Sequence, residues 1–488
     1  MLKRTRSFLV LVMLLMTVTM SAQVTTATMS GKVTAQDEPI IGATIVAIHE
    51  PSGTRYGTVT NVSGQFNLQG MRTGGPYKVE ISYVGYQTAI YKGINLLLGE
   101  NYVLNVSLKE SSELLDEVVV TASKESNMKS DRAGAIMNAN RDMISNTPTI
   151  SRSISDIMRL SPQGADVGNG FAVGGGNYRQ SFVTVDGAAF NNTFGLGGNL
   201  PANGSPISLD ALEQVTVAVT PFDVRQSGFT GGAINAVTRS GDNQFRGTAY
   251  MYFNNENLKG SKVDDYELLR SKAQYYTYGA SFGGPIIKDK LFFFVNGEYE
   301  DNVTAGSNYR PRTALGESYS GGNIHRPLQS DMDDMRGFLL NKYNFDPGKY
   351  NDYSTDTPAY RVMARVDWNA NQNNKVSFRF TKTHTKDSNF PTSSVSPLST
   401  SALYPGGTST EVIDGKPVGT IAPGQGRTSK YALSFSNSNY YQVRDFTSVA
   451  GEWNSRMAQG AMNNMLRFAY SYQDEPRSFD GPLFPTVD

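Results

Sequence analysis

The chain has 488 residues, enough for about three domains, and its 44 basic side chains equal its 44 acidic ones, so net charge gives no indication of a nucleic-acid partner. It contains no Cys, which excludes disulfides, thiolate metal sites and thiol nucleophiles. The three His residues, His49, His325 and His384, are too far apart in the sequence to predict a metal centre.

The first 22 residues have the order of a secretory signal peptide. Basic residues at positions 3, 4 and 6 precede an apolar run from Phe8 to Met20, and small residues then lead to a cleavage site between Ala22 and Gln23. A membrane anchor is the alternative, but the run is shorter than the ~20 residues that a spanning helix needs. We therefore expect residues 1–22 to be removed and the mature protein to be exported.

Residues 23–112 are predicted to form a small Ig-like β-sandwich. Segments such as "GATIVAIH" and "YKVEISYVGYQ" alternate polar and apolar residues and are separated by turn residues. About seven such short strands in this length are typical of two packed antiparallel sheets.

Residues 113–128 contain the stretch "LLDEVVVTA", which is strand-like but has no obvious sheet of its own. One interpretation is an extended interaction segment that adds to the sheet edge of a partner, with the valines supplying side-chain complementarity. The other is that Val118, Val119 and Val120 form the last strand of the sandwich. Asp116 and Glu117 would keep the segment soluble when it is unpaired and could attract a basic partner.

Residues 129–240 are rich in Gly but contain two clear strands, "QSFVTVDGAAF" and "LEQVTVAVTPF". A short helix is predicted at "SISDIMRLSP", where apolar residues recur at helical spacing and Pro162 ends the helix. Flexible low complexity is the alternative, but Val, Phe and Ile between the glycines allow this α+β segment to pack. No phosphate-binding glycine pattern is present.

Residues 241–488 hold 37 of the 52 aromatic residues and read as long alternating strands. In "YRVMARVDW", Val362, Val366 and Trp368 face one side, and Arg361 and Arg365 face the other. We predict seven strands, near 245–254, 275–284, 290–301, 360–369, 375–386, 439–455 and 463–473.

The connections between these strands alternate between long and short. A soluble sandwich would show the same residue alternation, but asymmetric connections are typical of outer-membrane barrels, which have tight periplasmic turns and long extracellular loops. Seven strands cannot close a large, even-stranded barrel. The fold class is therefore predicted as mainly β, with an incomplete transmembrane barrel, and the chain is expected to be the N-terminal part of a longer protein.

The order of these segments resembles TonB-dependent outer-membrane receptors with a carboxypeptidase-regulatory-like N-terminal domain, in the Oar-like branch. "SFVTVDGAAFNN" and "LEQVTVAVTPFDVRQSGFTGGAINAVTRSG" are similar to the plug of that family, and "GGPIIKDKLFFFVNGEY" to an early barrel hairpin. The glycan-importing SusC-type branch shares the front domain, but its plug usually carries an "IRG" strand and an ending like "DGVP" where this chain has "FAVGGGNYRQ" and "DGAAF".

The resemblance implies a role for each segment. Residues 129–240 would be the plug, residues 241–488 the barrel, and residues 116–122 the TonB-binding box. The box comprises Asp116, Glu117, Val118, Val119, Val120, Thr121 and Ala122. The plug motif comprises Val185, Asp186, Gly187, Pro221, Gly231, Gly232 and Asn235. Candidate substrate-facing residues on glycine-rich tips are Asn177, Tyr178, Arg179, Phe190, Asn191 and Phe194.

The implied function is import of a scarce substrate, such as a peptide or protein fragment, a glycan or a metal chelate, across the outer membrane of a Gram-negative bacterium. The implied partners are the C-terminal domain of TonB in its complex with ExbB and ExbD, outer-membrane lipid and an extracellular ligand, with a surface lipoprotein left open. The sandwich would lie in the periplasm. We expect no cofactor, no metal and no nucleic acid.

Two other functions are weighed against import. An enzyme is not predicted, because the sequence has no GxSxG or HExxH motif. The acidic cluster "SDMDDM" at 330–335 lacks the spacing of a calcium loop and is expected to be a solvated external loop. A surface adhesin could use the long external loops, but it needs neither a TonB box nor a plug.

Overall fold

The protein is described here by a computed structural model. The described residues are 24–110, 118–121, 136–149, 152–168, 170–192, 198–219, 226, 228–258, 260, 262–264, 266–267, 272–306, 309–319, 323–389, 412–413, 416–417, 432–457, 462–479, 481–482 and 484. The predicted signal peptide lies outside them. Within these ranges, no helix is both long and apolar enough to cross a membrane.

The first domain is the predicted β-sandwich. Its strands are β1 Ala27–Ala35, β2 Glu38–Pro39, β3 Thr44–His49, β4 Thr54–Val59, β5 Gln65–Met71, β6 Gly74–Ser82, β7 Ala89–Leu96, β8 Asn101–Val103 and β9 Val106–Ser107. Strands β1, β2, β5, β8 and β9 form one sheet, and β7, β6, β3 and β4 lie in the second. Alternate residues of both sheets, among them Met29, Ile45, Leu68 and Ile81, are fully buried between them. Their removal from water stabilises the domain.

A tenth strand, β10 Val118–Thr121, belongs to the box segment. It extends the second sheet, whose order is β10-β7-β6-β3-β4, and runs parallel to β7. The segment therefore has a sheet partner within its own chain.

The plug segment folds around a mixed sheet with the order β11-β16-β17-β14-β15. Its elements are β11 Ile136–Ala139, α1 Arg141–Asn146, α2 Ile154–Met158, β12 Gly164–Asp166, β13 Phe171–Val173, β14 Phe182–Val185, β15 Ala188–Ala189, β16 Leu212–Ala218 and β17 Ala233–Thr238. Helix α2 is the predicted one. Ser153 and Asp156 form a capping box at its start, which satisfies backbone N–H groups that would otherwise be unpaired.

The remaining elements are β18 Arg246–Asn255, β19 Lys262–Val263, β20 Tyr266–Glu267, β21 Gln274–Ile287, β22 Leu291–Ala305, β23 Arg310–Arg312, β24 Ile324–Leu328, α3 Gln329–Tyr343, β25 Ser354–Asp356, β26 Ala359–Asn369, β27 Asn374–Asn389, β28 Val412–Ile413, β29 Lys416–Pro417, β30 Tyr440–Met457, β31 Met462–Asp474 and β32 Arg477–Ser478. The long strands form one antiparallel meander in the order β18-β21-β22-β26-β27-β30-β31. The predicted strands and their alternating short and long connections are confirmed.

Burial in this sheet is the reverse of that in a soluble protein. On β27, Phe378 and Phe380 are exposed, whereas Arg379 and Thr381 between and beyond them are almost completely buried. The exposed face also carries Trp368 and Phe468. An apolar outer face with a polar inner face is what a barrel wall in lipid requires. The fold is therefore mainly β, with a sandwich, a plug and a barrel wall that is not closed among the described residues.

We expected from the sequence that the acidic cluster at 330–335 would be a loop, but the structure has a helix there. It lies in α3, which ends at Asn344 in the left-handed conformation. Met332 and Leu339 are the buried residues of this helix. The two are seven positions apart, which is about two helical turns. With acidic residues between them, so few apolar positions do not make a helical pattern recognisable in the sequence.

Candidate functional site

The "VDG" motif forms the tight turn between β14 and β15. Asp186 and Gly187 have φ values of 47° and 75°, so both central residues are in the left-handed region that a type I′ turn requires. Asp and Gly are the residues that best tolerate this conformation. A Cβ added at Gly187 would lie 2.7 Å from Cδ of Arg467 on β31. The turn is thus packed directly against the barrel wall.

The Asp186 carboxylate first ties this turn to the rest of the plug. Oδ1 accepts a hydrogen bond of 3.0 Å from the backbone N–H of Thr238, and Oδ2 accepts one of 2.7 Å from the Thr238 hydroxyl. Thr238 is the last residue of β17. Asp186 therefore links the hairpin to the strand that leads into the barrel.

The same carboxylate meets two arginines of the barrel wall. Arg365 on β26 places Nη1 3.3 Å from Oδ1, and Arg379 on β27 places Nε 3.1 Å from Oδ2. Arg365 also donates to Asp367, at 2.9 Å. The Arg379 guanidinium stacks over the Phe190 ring at 5.1 Å. This cluster, which we call the plug latch, is buried, so removal of Asp186 would leave buried positive charge without its partner.

A second plug–barrel contact centres on Glu298 of β22. Its carboxylate accepts hydrogen bonds from Ser208 of the plug at 3.0 Å and from Tyr250 of β18 at 2.6 Å. Arg361 pairs with the other oxygen of Glu298 at 3.0 Å and donates through Nε to the Ser205 carbonyl at 2.6 Å. The inward charged residues predicted on β26 therefore hold the plug.

Asp210 of the plug is the centre of a third contact. It pairs with Arg141 at 2.7 Å and accepts a hydrogen bond of 2.8 Å from Thr248 of β18. Burial alone would raise the pKa of this carboxyl group. Hydrogen bonds from Ser281, Thr248 and Arg141 outweigh that effect and lower the pKa below its usual value.

The other plug-motif residues pack inside the plug. A Cβ at Gly232 would lie 2.5 Å from the Val173 side chain, and Gly231 is in close contact with Gln180. Val185 is fully buried, and the buried Asn235 accepts a hydrogen bond of 2.7 Å from Thr184. These residues shape the plug, and Pro221 lies outside the described residues.

The candidate substrate-facing residues separate into two groups. Asn177 caps a short 3-10 turn that contains Tyr178 and Arg179, and all three side chains are at least partly exposed. Phe190, by contrast, is fully buried and makes an edge contact with Phe446 of β30 at 4.8 Å. The expectation that Phe190 faces the substrate is therefore wrong, because its ring packs into the plug–barrel interface.

The remaining two candidates have different outcomes. Asn191 accepts a hydrogen bond of 2.7 Å from the Val183 N–H and donates to the Ser181 carbonyl at 2.9 Å and to Asn199 at 2.8 Å. It thus stabilises the turn after β15. Phe194 lies outside the described residues.

A cleft of about 400 Å³ lies between the plug and the barrel wall, at the end of the sheet where the long connections emerge. Six of its seven described charged side chains form opposite-charge pairs: Arg159 with Asp166, Arg361 with Glu300, and Arg444 with Asp387. These residues are not among the candidate site residues predicted from the sequence. The feature of the sequence that could have indicated this cleft is the row of charged residues on the polar face of the predicted strands, such as Arg361.

The sandwich contacts the opposite end of the sheet, where the short turns lie. Asn369, at the end of β26, donates to the Thr54 hydroxyl at 2.9 Å, and the N–H of Asn243 donates to the Pro51 carbonyl at 2.9 Å. On the plug, Gln214 accepts a hydrogen bond of 3.1 Å from the N–H of Leu98. The sandwich thus covers the short-turn end of both the plug and the barrel wall.

The box strand β10 is placed on this sandwich. Its four residues are in register with Ala89 to Lys92 of β7, with Val118 opposite Ala89 and Thr121 opposite Lys92. Asp116, Glu117 and Ala122 lie outside the described residues. Of the two interpretations of the sequence, the one in which the valines join the sandwich describes this structure.

Two segments of the chain match known families. Residues 28–109 match the family described as carboxypeptidase regulatory-like domain, and residues 237–412 match the outer membrane beta barrel domain. The chain is 27% identical to the TonB-dependent transporter Oar of Myxococcus xanthus over 256 residues, which cover 51% of this chain and 22% of that protein. It is 29% identical to the TonB-dependent receptor SusC of Bacteroides thetaiotaomicron over 269 residues, which cover 52% of this chain and 24% of that protein.

Two solved structures are weakly similar to this chain. The outer membrane transporter YddB from Escherichia coli is 11% identical, with a TM-score of 0.44, and the match covers 70% of this chain and 38% of that one. The siderophore receptor PirA from Pseudomonas aeruginosa is 12% identical, with a TM-score of 0.39, and the match covers 71% and 42%. Similarity at this level carries no argument about function.

The protein is an outer-membrane β-barrel protein of a Gram-negative bacterium, with a carboxypeptidase regulatory-like domain ahead of its plug. More particularly, it is similar to two TonB-dependent proteins, Oar and SusC. The matched regions span about a quarter of the length of these two relatives.

Proposed function

We propose that the protein imports a scarce substrate through the outer membrane, and that a TonB protein energises import by pulling on the box at residues 116–122. The substrate would be a peptide or protein fragment, a glycan or a metal chelate. The sandwich would lie in the periplasm, and the cleft beside Arg361 and Arg444 would open to the outside.

The observation that carries this proposal is the polar contact between plug and barrel. Besides the apolar packing of Phe190 on Phe446, the plug is retained by discrete polar contacts such as those of Asp186 with Arg365 and Arg379. Contacts of this kind can be exchanged for water when a force acts on the plug. A strand that precedes the plug and can pair through its backbone is a suitable point for applying that force.

The cleft also supports a receptor role. Its paired charges give a wall with little net charge, and Asn199, Asn302 and Thr385 supply neutral polar groups beside them. Such a surface suits hydrogen-bonded recognition of a polar ligand. Asn177, Tyr178 and Arg179 remain candidates for contact with that ligand.

A proline substitution in the box tests the energised mechanism. Val119→Pro removes a backbone N–H from β10, and Val59→Pro makes the same change at the opposite edge of the same sheet. Uptake of a labelled oligopeptide, an oligosaccharide and a ferric siderophore is measured in cells that produce the protein together with TonB. We expect Val119→Pro, but not Val59→Pro, to abolish the uptake that a protonophore also abolishes.

Surface adhesion is the competing function, and deletion of residues 114–122 separates the two. An importer should keep binding its ligand at the cell surface but lose uptake. Uptake that survives both the deletion and the protonophore contradicts the proposal. Ligand that copurifies with the protein from its native membrane would identify the substrate class, and a copurified lipoprotein would identify a surface partner.

A further inference from the structure

The box strand has a defined place in the fold before any partner binds. Residues Val118–Thr121 pair with β7 along their whole length, in a single parallel register without a bulge. Strand β7 is in turn joined to β6, so β10 continues an existing sheet. The backbone groups on one side of β10 are therefore already paired.

This pairing determines where a pull on the box is delivered. While β10 stays on β7, a force applied to it acts on the sandwich. The sandwich is itself bound to the barrel wall through Thr54 and Asn369, and to the chain after the plug through Arg72 and the Gly241 carbonyl at 3.3 Å. The plug follows only after residue 135, so the pull reaches it once β10 has left β7.

We propose that the sandwich domain holds the box as a releasable edge strand, and that release of β10 from β7 is a required step before TonB can displace the plug. This inference rests on the proposed function and adds its regulation. The occupant of the β7 edge is a segment of this same chain, and the class of partner that draws it away is a protein that binds an extended strand through its backbone.

The short length of β10 makes such a step feasible. Four residues in a parallel pair share only a few hydrogen bonds with β7, and each of these contributes a modest net stabilisation because the released groups bond to water. A strand held this weakly leaves and rejoins its sheet readily. The fraction of released strand then sets how much of the protein can respond to the pull.

The absence of Cys in the chain allows a clean test. Thr121→Cys with Lys92→Cys places two thiols on strand positions that are in register, and neighbouring strands are about 4.8 Å apart, within the range that a disulfide spans. Thr28→Cys with Asn101→Cys makes an equivalent pair between β1 and β8, away from the box. Oxidation with diamide should lock each pair, and dithiothreitol should release it.

The readout is mechanical and needs no substrate. The protein is placed in a supported bilayer and pulled with a TonB C-terminal domain attached to a force probe. In the reduced Thr121–Lys92 double variant, pulling should lengthen the chain by extending the plug. Oxidation should reduce the frequency of plug extension at least tenfold, and reduction should restore it. In the variant with the β1–β8 pair, the frequency of plug extension should not depend on oxidation.

Each outcome has one meaning. Plug extension that is equal in the oxidised and reduced double variant overturns the proposal, as does failure of the thiols to join under diamide. The pair Val118→Cys with Ala89→Cys repeats the test at the other end of β10 if Thr121→Cys alone weakens TonB binding. If TonB fails to bind the unsubstituted protein, the proposed function itself is wrong. That result is distinct from plug extension that does not depend on the release of β10 from β7.

Discussion

The carboxylate of Asp186 in the plug lies 3.1 Å from Nε of Arg379 on the barrel wall, although 193 positions separate the two residues in the sequence. Arg365 meets the same carboxylate from the neighbouring strand. One acidic side chain at a tight turn thus bridges two inward-facing arginines, of which Arg365 is also paired with Asp367. Its removal is the most direct way to test how the plug is held.

Asp186→Asn should weaken retention of the plug. The amide keeps the shape but removes the negative charge, so the buried Arg379 loses its carboxylate partner, while Arg365 keeps Asp367. Leaving one buried charge unpaired costs up to about 3–5 kcal/mol, less where water enters. We expect the force that extracts the plug to fall and outer-membrane permeability to a large antibiotic to rise. Asp142→Asn, an exposed plug carboxylate on α1, is the matched control and should change neither.

Gly187→Ala should destabilise the "VDG" hairpin for two separate reasons. The φ of 75° is unfavourable for Ala, by about 1 kcal/mol, and the new Cβ would meet Arg467. Gly175→Ala has nearly the same φ, 77°, but no atom within 4 Å of the added Cβ. Hydrogen exchange of β14 should therefore accelerate more in Gly187→Ala than exchange of the Gly175 turn does in its variant. Equal effects would argue against close contact with the barrel.

His49 should make the sandwich less stable in mild acid. Burial, reinforced by the positive charge of Arg72, holds the pKa of His49 well below its ordinary value of about 6.5, and its Nδ1 lies 2.7 Å from the Ser52 hydroxyl. Above pH ~6.5 both the folded and unfolded forms are neutral, so stability does not change. Below that value the unfolded form binds a proton first, and stability should fall by up to about 1.4 kcal/mol per pH unit until the lower folded pKa is reached.

The measurement for His49 is hydrogen exchange of β3 and β4 in the whole protein between pH 7 and pH 5, corrected for intrinsic exchange. His49→Asn removes the titrating group and should flatten the dependence on pH. A slope that persists in this variant would assign the effect to another group.

Glu317 should keep its loop folded to low pH. A hydrogen bond from Arg310, followed by bonds from the Thr313 N–H and hydroxyl, lowers the pKa of Glu317 to about 2. Because the folded pKa is depressed, the stabilisation is present above the ordinary Glu pKa and is lost as the pH falls through the folded value. NMR titration of the Glu317 carboxyl should show this pKa, and Arg310→Gln should raise it toward the ordinary value.

The barrel strands were predictable from the sequence because each side chain faces one of two sharply different environments. The alternation of Phe378, Arg379 and Phe380 follows from lipid on one face and the plug on the other. The role of Asp186 was not predictable beyond its turn, since its partners come from distant strands. Phe190 was misassigned because its polar and glycine-rich neighbours suggested an exposed tip, and its partner Phe446 lies 256 positions away.

The position of β10 shows a different limit. Its valines would suit the edge of β7 and the edge of a partner sheet equally well, because both offer the same backbone pattern. Sequence alone therefore leaves the choice between them open. Whether β10 pairs with β7 or with a partner sheet depends on the difference between two free energies of strand pairing. The pattern of residues in β10 does not give that difference.

The reversed burial of the barrel wall also affects how the protein melts. Side chains such as Trp368, Phe378 and Phe468 are exposed in the folded state, so they face lipid or detergent and not water. If the strands unfold within that apolar medium, these groups never become hydrated. We therefore expect the calorimetric heat-capacity increment per residue to lie below the ~12–15 cal/mol/K of soluble domains, and the stability curve to be correspondingly flat with temperature.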